Sequence, residues 1–228
     1  MIITIDGPSG SGKSTLALAL SNHLNFFCLN SGYLYRGLAY VLKNFYAYDE
    51  IMLANPLLQD VQACFESGVF EYRYESGLAK IYWIDEITQF LKDPEMAKGA
   101  VLLAQSDIAR SAIKQFQQSL IKNNDVVVEG RSCGSTMFPD AQVKFYLDAE
   151  PNVRAMRFVK DQEKRGNHFS FDNALDVIKS RDLMDRQRLI DPLIIPQGAF
   201  ILSSSVDNQD QVLHKALNLV KEVMHKKK

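Results

Sequence analysis

Near its start the chain carries Gly7-Pro8-Ser9-Gly10-Ser11-Gly12-Lys13-Ser14, which satisfies the pattern G-x-x-x-x-G-K-[ST]. Residues of these types at this spacing bind a polyphosphate. Glycines let successive backbone N–H groups converge on phosphate oxygens, and the helix that follows adds the partial positive charge of its N-terminus. Gly7, Ser9, Gly10, Ser11 and Gly12 would form the cradle, Lys13 would reach the β- and γ-phosphates, and the Ser14 hydroxyl would ligate Mg²⁺. The context fits: the β-branched run Ile2 to Ile5 reads as a buried strand, and Ser14 to Leu24, rich in Leu and Ala, reads as a helix. Binding of ATP or GTP is therefore expected, but the reaction is left open.

Other residues narrow the class. The guanine-reading NKxD, the switch DxxG and the transporter signature LSGGQ are all absent. Small-molecule kinases instead use scattered arginines and a closing lid, and Arg36, Arg110, Arg131, Arg181, Arg186 and Arg188 are candidates. Arg131 stands out. It follows Val126-Val127-Val128-Glu129-Gly130, at the carboxyl end of an expected central strand, where α/β sheets bind ligands.

Around these residues the pattern alternates strand and helix. Further strands are expected at 26–29, 143–147 and 200–202, with helices at 33–45, 151–164, 172–188 and 212–224. Residues 50–68 look helical. A β-hairpin is expected over 69–87 around Ser76-Gly77, and a helix from Lys92-Asp93-Pro94 to about Leu120, broken near Ser106-Asp107. Arg165-Gly166-Asn167 would join two helices, and Lys226–Lys228 would be a solvated tail. Continuous apolar strands between helices imply a parallel sheet with helices on both faces, interrupted by a small inserted subdomain.

The 228 residues fit one domain with an insertion. A net charge of -1 argues against a chain that wraps polymeric nucleic acid by bulk charge. Residues 1–150 carry 12 Lys/Arg against 17 Asp/Glu, and residues 151–228 carry 14 against 10. That split is either ordinary surface scatter or a basic segment that closes over an anion. No apolar run is long enough for a membrane span, and MIITIDG has neither the basic start nor the cleavage site of a secretory leader. Cys28, Cys64 and Cys133 show no metal spacing, nor do the four histidines, so reduced thiols in the cytoplasm are expected.

The specific segments together resemble the bacterial-type cytidylate kinases, within the nucleoside monophosphate kinases. They are IDGPSGSGKST, NSGYLYR (Asn30–Arg36), Lys92-Asp93-Pro94-Glu95, Arg110, EGRSCGSTMFPDA (Glu129–Ala141) and RDLMDRQR (Arg181–Arg188) followed by Asp191-Pro192-Leu193. The resemblance implies a single P-loop kinase domain with a parallel sheet flanked by helices, a monophosphate-binding insert at about 55–100 and a helical lid at about 150–190. It implies ATP and Mg²⁺ as donor and metal, CMP and dCMP as acceptors, and a cytoplasmic monomer. By position, Ser31 and Arg188 would touch the pyrimidine, with Arg110 also facing the base. Arg36, Arg110 and Arg131 would grip the acceptor phosphate, and Arg181 and Asp185 would reach the sugar. Lys92 stands where the family usually has arginine and keeps the charge without the fork. Lys13, Arg131, Arg181 and Arg188 would neutralise the transferring phosphoryl group. Arg154, Arg157 and Lys160, one turn apart on the expected lid helix, form either a solvated face or a nucleotide contact, with Arg157 assigned to ATP.

Several positions depart from the family. Ser132 replaces an aspartate that helps hold the cytosine amino group, Val101 a serine near the sugar, and Asn30 and Glu129 two aspartates. These changes spare the phosphate grip and thin out base and sugar recognition. They imply either weakened cytosine discrimination or its restoration through other residues. Two rival readings follow from the same residues: a P-loop kinase for another small acceptor, and a catalytically impaired nucleotide-binding relative with a regulatory or interaction role.

Overall fold

The computed structural model describes residues 1–225 except Ser67, Ser76, Asn123 and Arg165. Three features expected from sequence therefore lie outside the described residues: the Ser76 half of the hairpin turn, Arg165 between two helices, and the tail Lys226–Lys228.

The larger sheet has five strands. They are β1 (Ile2–Asp6), β2 (Phe27–Asn30), β6 (Val126–Glu129), β7 (Val143–Asp148) and β8 (Phe200–Ser203), in the order β2-β6-β1-β7-β8. Strand β1 runs parallel to β7, with Ile3 opposite Val143 and Asp6 opposite Tyr146, and β7 runs parallel to β8. Its central strands are mostly apolar, as strands covered on both faces should be: Ile3, Ile5, Val127, Val128, Phe145 and Leu147 are all buried. A three-stranded antiparallel sheet forms separately from β3 (Phe70–Glu75), β4 (Leu78–Trp83) and the short β5 (Asp85–Glu86).

The chain divides into two compact units. One comprises residues 1–25 and 127–228, the other residues 26–126. In the first, α1 (Lys13–Leu24) follows the glycine loop, and α9 (Gln209–His225) closes the chain. Between β7 and β8 lie α7 (Pro151–Glu163) and α8 (Phe171–Gln187). These two helices share a small core of their own, Ala155, Ala174 and Ile178, flanked by Phe158, Val159 and Leu175.

The second unit holds α2 (Ser31–Phe45), α3 (Glu50–Ala54), α4 (Leu58–Glu66), the antiparallel sheet, α5 (Pro94–Leu103) and α6 (Asp107–Ile121). Phe65, Phe70 and Phe116 pack with ring centroids 5.0–5.7 Å apart. The expected break is at Ser106, whose hydroxyl caps α6 by accepting from Ala109 N at 3.4 Å.

Of the departures from the sequence reading, three have a clear local cause. Helix α2 starts at Ser31 rather than Tyr33, because the Asn30 side chain accepts from Tyr33 N at 3.0 Å and turns the segment into a cap. The stretch read as helical from residue 50 holds α3 and α4, separated at Asn55-Pro56-Leu57, where proline removes a donor; its Ser67 lies outside the described residues. The hairpin gains β5 as a third strand, after Ile84 takes a positive φ of 65°.

Candidate active site

In the first unit the loop after β1 is shaped by backbone geometry that few residues tolerate. Gly7 has φ +148°, and a Cβ there would meet the Leu147 carbonyl oxygen at 2.1 Å. Gly10 and Gly12 have φ +76° and +94°. The carbonyls of this loop are turned back into the protein. Lys13 Nζ donates to Pro8 O at 2.6 Å, Arg154 Nη1 to Ser9 O at 3.1 Å, Arg157 Nη1 to Gly10 O at 3.3 Å and Ser204 Oγ to Ser11 O at 2.7 Å. With the oxygens held behind, the amides at the start of α1 are left to face an anion.

Arg154 is the strut of this arrangement. It is 2% exposed and makes a two-pronged bond to Asp182 at 2.9 and 2.5 Å, while its Nε donates to Ala149 O at 2.8 Å. Arg157 also donates to the Ser204 carbonyl and hydroxyl, at 2.6 and 3.0 Å, and Lys160 is exposed. Of the expected trio, Arg154 and Arg157 both reach the loop, and only Lys160 is exposed. Arg154 points into the protein and carries structure, because a fully desolvated guanidinium needs this many acceptors.

Three acids stand by the loop. Ser14 Oγ donates to Glu129 Oε1 at 2.7 Å. The Asp6 carboxylate accepts from Cys133 N and Gly134 N, each at 2.7 Å. Burial raises the Asp6 carboxyl above its ordinary range against the pull of those two amides, Lys13 and Arg131. Lys13 is only 5% exposed. Burial, reinforced by Arg131, lowers its ammonium to about 7 against the attraction of Glu129, Asp185 and Asp6.

The third acid gathers arginines. Arg131 Nε donates to Asp185 Oδ2 at 2.7 Å, and Arg188 Nη1 lies 3.9 Å from Asp185 Oδ1. Burial alone would raise Asp185, but Arg131, Arg188 and Arg181 hold it below the usual carboxylate range. The bend after α8 is fixed by the same residues: Arg188 Nε donates to Asp191 O at 2.6 Å, and Leu193 N to the Asp185 backbone carbonyl at 2.7 Å. Ser132 is buried after β6, ahead of the short turn Cys133–Met137.

The other expected residues lie in the second unit. Ser31 is the first residue of α2, and its Oγ accepts from Gln117 Nε2 at 2.9 Å. Arg36, also on α2, donates to Leu91 O at 3.2 Å. Arg110 is buried on α6 and donates to Ala104 O at 3.3 Å. Lys92 is exposed at the end of the turn Thr88–Lys92, and Val101 is half-buried on α5.

Sequence reasoning did not single out Asp6, Ser204 or Gln117 for the site, and it took Glu129 only as a replacement. Asp6 carried a signal, since an acid that closes a buried strand beside a phosphate loop is costly without a purpose. Gln117 is seven residues after Arg110 and shares its buried stripe with Ile113. Ser204 carried none. Among the described residues no cluster of three His, Cys, Asp or Glu suits a metal, the three cysteines are buried and form no disulfide, and no helix is long and apolar enough to cross a membrane.

The fold resembles that of TT1252 from Thermus thermophilus, with TM-score 0.50, 16% identity, and coverage of 97% of this chain and 96% of that one. The sequence is 40% identical over 222 residues to the cytidylate kinase of Chlamydia caviae, covering 96% of this chain and 98% of that protein. It is 35% identical over 220 residues to cytidylate kinase 1 of Haemophilus influenzae, covering 95% and 92%. The family described as cytidylate kinase matches residues 3–222, which takes in the loop, the Asp185 cluster and the α2 and α6 residues alike. The chain belongs to the cytidylate kinase family.

Proposed function

We propose that the protein transfers the γ-phosphoryl group of ATP to the phosphate of CMP, and of dCMP, giving the diphosphate and ADP. Beyond family membership, the observation that carries this reading is the Asp185 cluster. Arg131 and Arg188 are drawn onto one acid in the same unit as the phosphate loop, and Arg181 acts on it too. Transfer between two anionic nucleotides needs this concentration of positive charge and little covalent help from a side chain.

On this reading Gly7, Ser9, Gly10, Ser11, Gly12 and Lys13 hold the donor phosphates, and Arg157 contacts ATP. Ser14 and Glu129 offer hard oxygen atoms 2.7 Å apart, a set that suits Mg²⁺ with water and phosphate completing its shell. When bound there, Mg²⁺ would offset the negative charge that develops during phosphoryl transfer. Lys13, Arg131, Arg181 and Arg188 stabilise the transferring group. Ser31, Arg36, Lys92, Arg110, Ser132 and Asp185 hold the acceptor. The insert of about 55–100 and the lid of about 150–190 are assigned by the same resemblance, as are a monomeric state and a cytoplasmic location.

A coupled assay with ATP, Mg²⁺ and a panel of CMP, dCMP, UMP, AMP and small alcohols tests this. ADP formation that depends on CMP is expected. Turnover only with other acceptors, or ATP binding that no acceptor turns into ADP, would overturn it.

A further inference from the structure

Gln117 is 0% exposed, and its two amide ends have different fates. Nε2 donates to Ser31 Oγ at 2.9 Å, whereas Oε1 has no hydrogen-bond partner. A buried amide half left unpaired costs stability, so its retention needs a reason. The contact itself supplies one. An N–H that donates into Oγ fills a lone pair of the serine, so the hydroxyl proton must point away from Gln117. Ser31 thereby has its proton free to donate outward, with one of its two lone pairs already filled. Its place is fixed as well, since it opens α2 directly after the Asn30 cap and is 6% exposed.

A pyrimidine distinguishes a donor from an acceptor. Cytosine presents N3 as a bare acceptor, and uracil presents N3–H. We infer that Gln117 is a positioning residue for base specificity: it holds the Ser31 hydroxyl as a donor toward the acceptor edge of cytosine and against uracil. This rests on the reading of Ser31 as a contact to the acceptor base. It answers the question left by Ser132, because the chain then retains discrimination through a pair of neutral groups in the second unit.

The test is the ratio of kcat/KM for CMP over UMP at saturating ATP and Mg²⁺, measured alongside thermal melting. Gln117→Glu reverses the polarity, because a carboxylate accepts the Ser31 proton and leaves only lone pairs facing outward. The ratio is expected to fall by roughly tenfold or more, as for one inverted hydrogen bond. Gln117→Met, of similar shape and apolar, removes the donation and should lower the ratio by a smaller factor. The KM for ATP should stay the same in both. In a Ser31→Ala background, Gln117→Glu should leave the ratio where Ser31→Ala alone puts it. If both variants merely lower the melting temperature, or slow CMP and UMP equally, the inference is overturned and Gln117 is structural. If Gln117→Glu does not fold, an unchanged ratio in folded Gln117→Met overturns it alone. A wild-type protein that makes no ADP in response to CMP instead overturns the acceptor reading, and this inference with it.

Discussion

Arg154 and Asp182 meet through two hydrogen bonds, and the same guanidinium grips the carbonyl of Ser9 in the phosphate loop. The pair ties α7 to α8 and both to the loop. Removing one partner of a buried pair leaves a desolvated charge alone, at a cost of about 3–5 kcal/mol. Arg154→Ala should therefore lower the unfolding free energy in urea by that order and weaken ATP binding in the protein that remains folded. Arg154→Lys should recover little, because an ammonium cannot make the paired bond. A variant as stable as wild type would show that this side chain is dispensable.

That arginine also marks where sequence reading stops. Spacing placed Arg154, Arg157 and Lys160 together, but α7 turns one of them inward because Ala155 and its neighbours pack against α8. The phosphate loop was legible because its function requires particular residues at fixed spacing, and the parallel sheet because its central strands carry short apolar runs such as Val126-Val127-Val128. Gln117 and Ser204 were not legible. Each makes its decisive bond across a long stretch of chain, 86 residues to Ser31 and 193 to Ser11, and nothing local records such a partner.

Ser14 Oγ donates to Glu129 Oε1 at 2.7 Å, and on the proposed reading both would hold the metal. Glu129→Gln keeps the shape and removes the charge. The Mg²⁺ concentration for half-maximal rate should rise by roughly tenfold or more, because one of the two oxygen groups proposed to hold the metal loses its charge. Binding of ATP without metal should be unchanged or tighter, since a repelling carboxylate has gone. Titration of rate against Mg²⁺ checks this, and an unshifted midpoint would dissociate Glu129 from the metal.

Asp185 serves Arg131 and Arg188 at once. Asp185→Asn should raise the KM for CMP and lower stability at neutral pH, because two arginines lose their counter-charge. The pH dependence has a definite sign. The folded carboxyl is held low, so its stabilisation is present above the unfolded value near ~3.9 and is lost as pH falls through the folded one. Urea unfolding should show a gap between wild type and variant that is constant from about pH 5 to 7 and closes in stronger acid. A gap that widened on acidification would place the Asp185 carboxyl above its ordinary range instead.

Lys13 has its ammonium lowered to about 7 by burial and by Arg131. Donor phosphates favour the charged form and raise it again, while the terminal phosphate of ATP, with a second ionisation near ~6, is already ionised at that pH. Above pH 7 the free protein has lost the proton that the complex keeps. Each ATP bound must then take up close to one proton, and affinity falls as pH rises, approaching about tenfold per pH unit. Calorimetry at pH 8 in two buffers of different ionisation enthalpy should report that uptake directly. Lys13→Arg supplies the control, because a guanidinium does not titrate in this range: its affinity for ATP should be flat from about pH 7 to 9. Equal pH slopes in wild type and Lys13→Arg would mean that the buried lysine is charged before the nucleotide arrives.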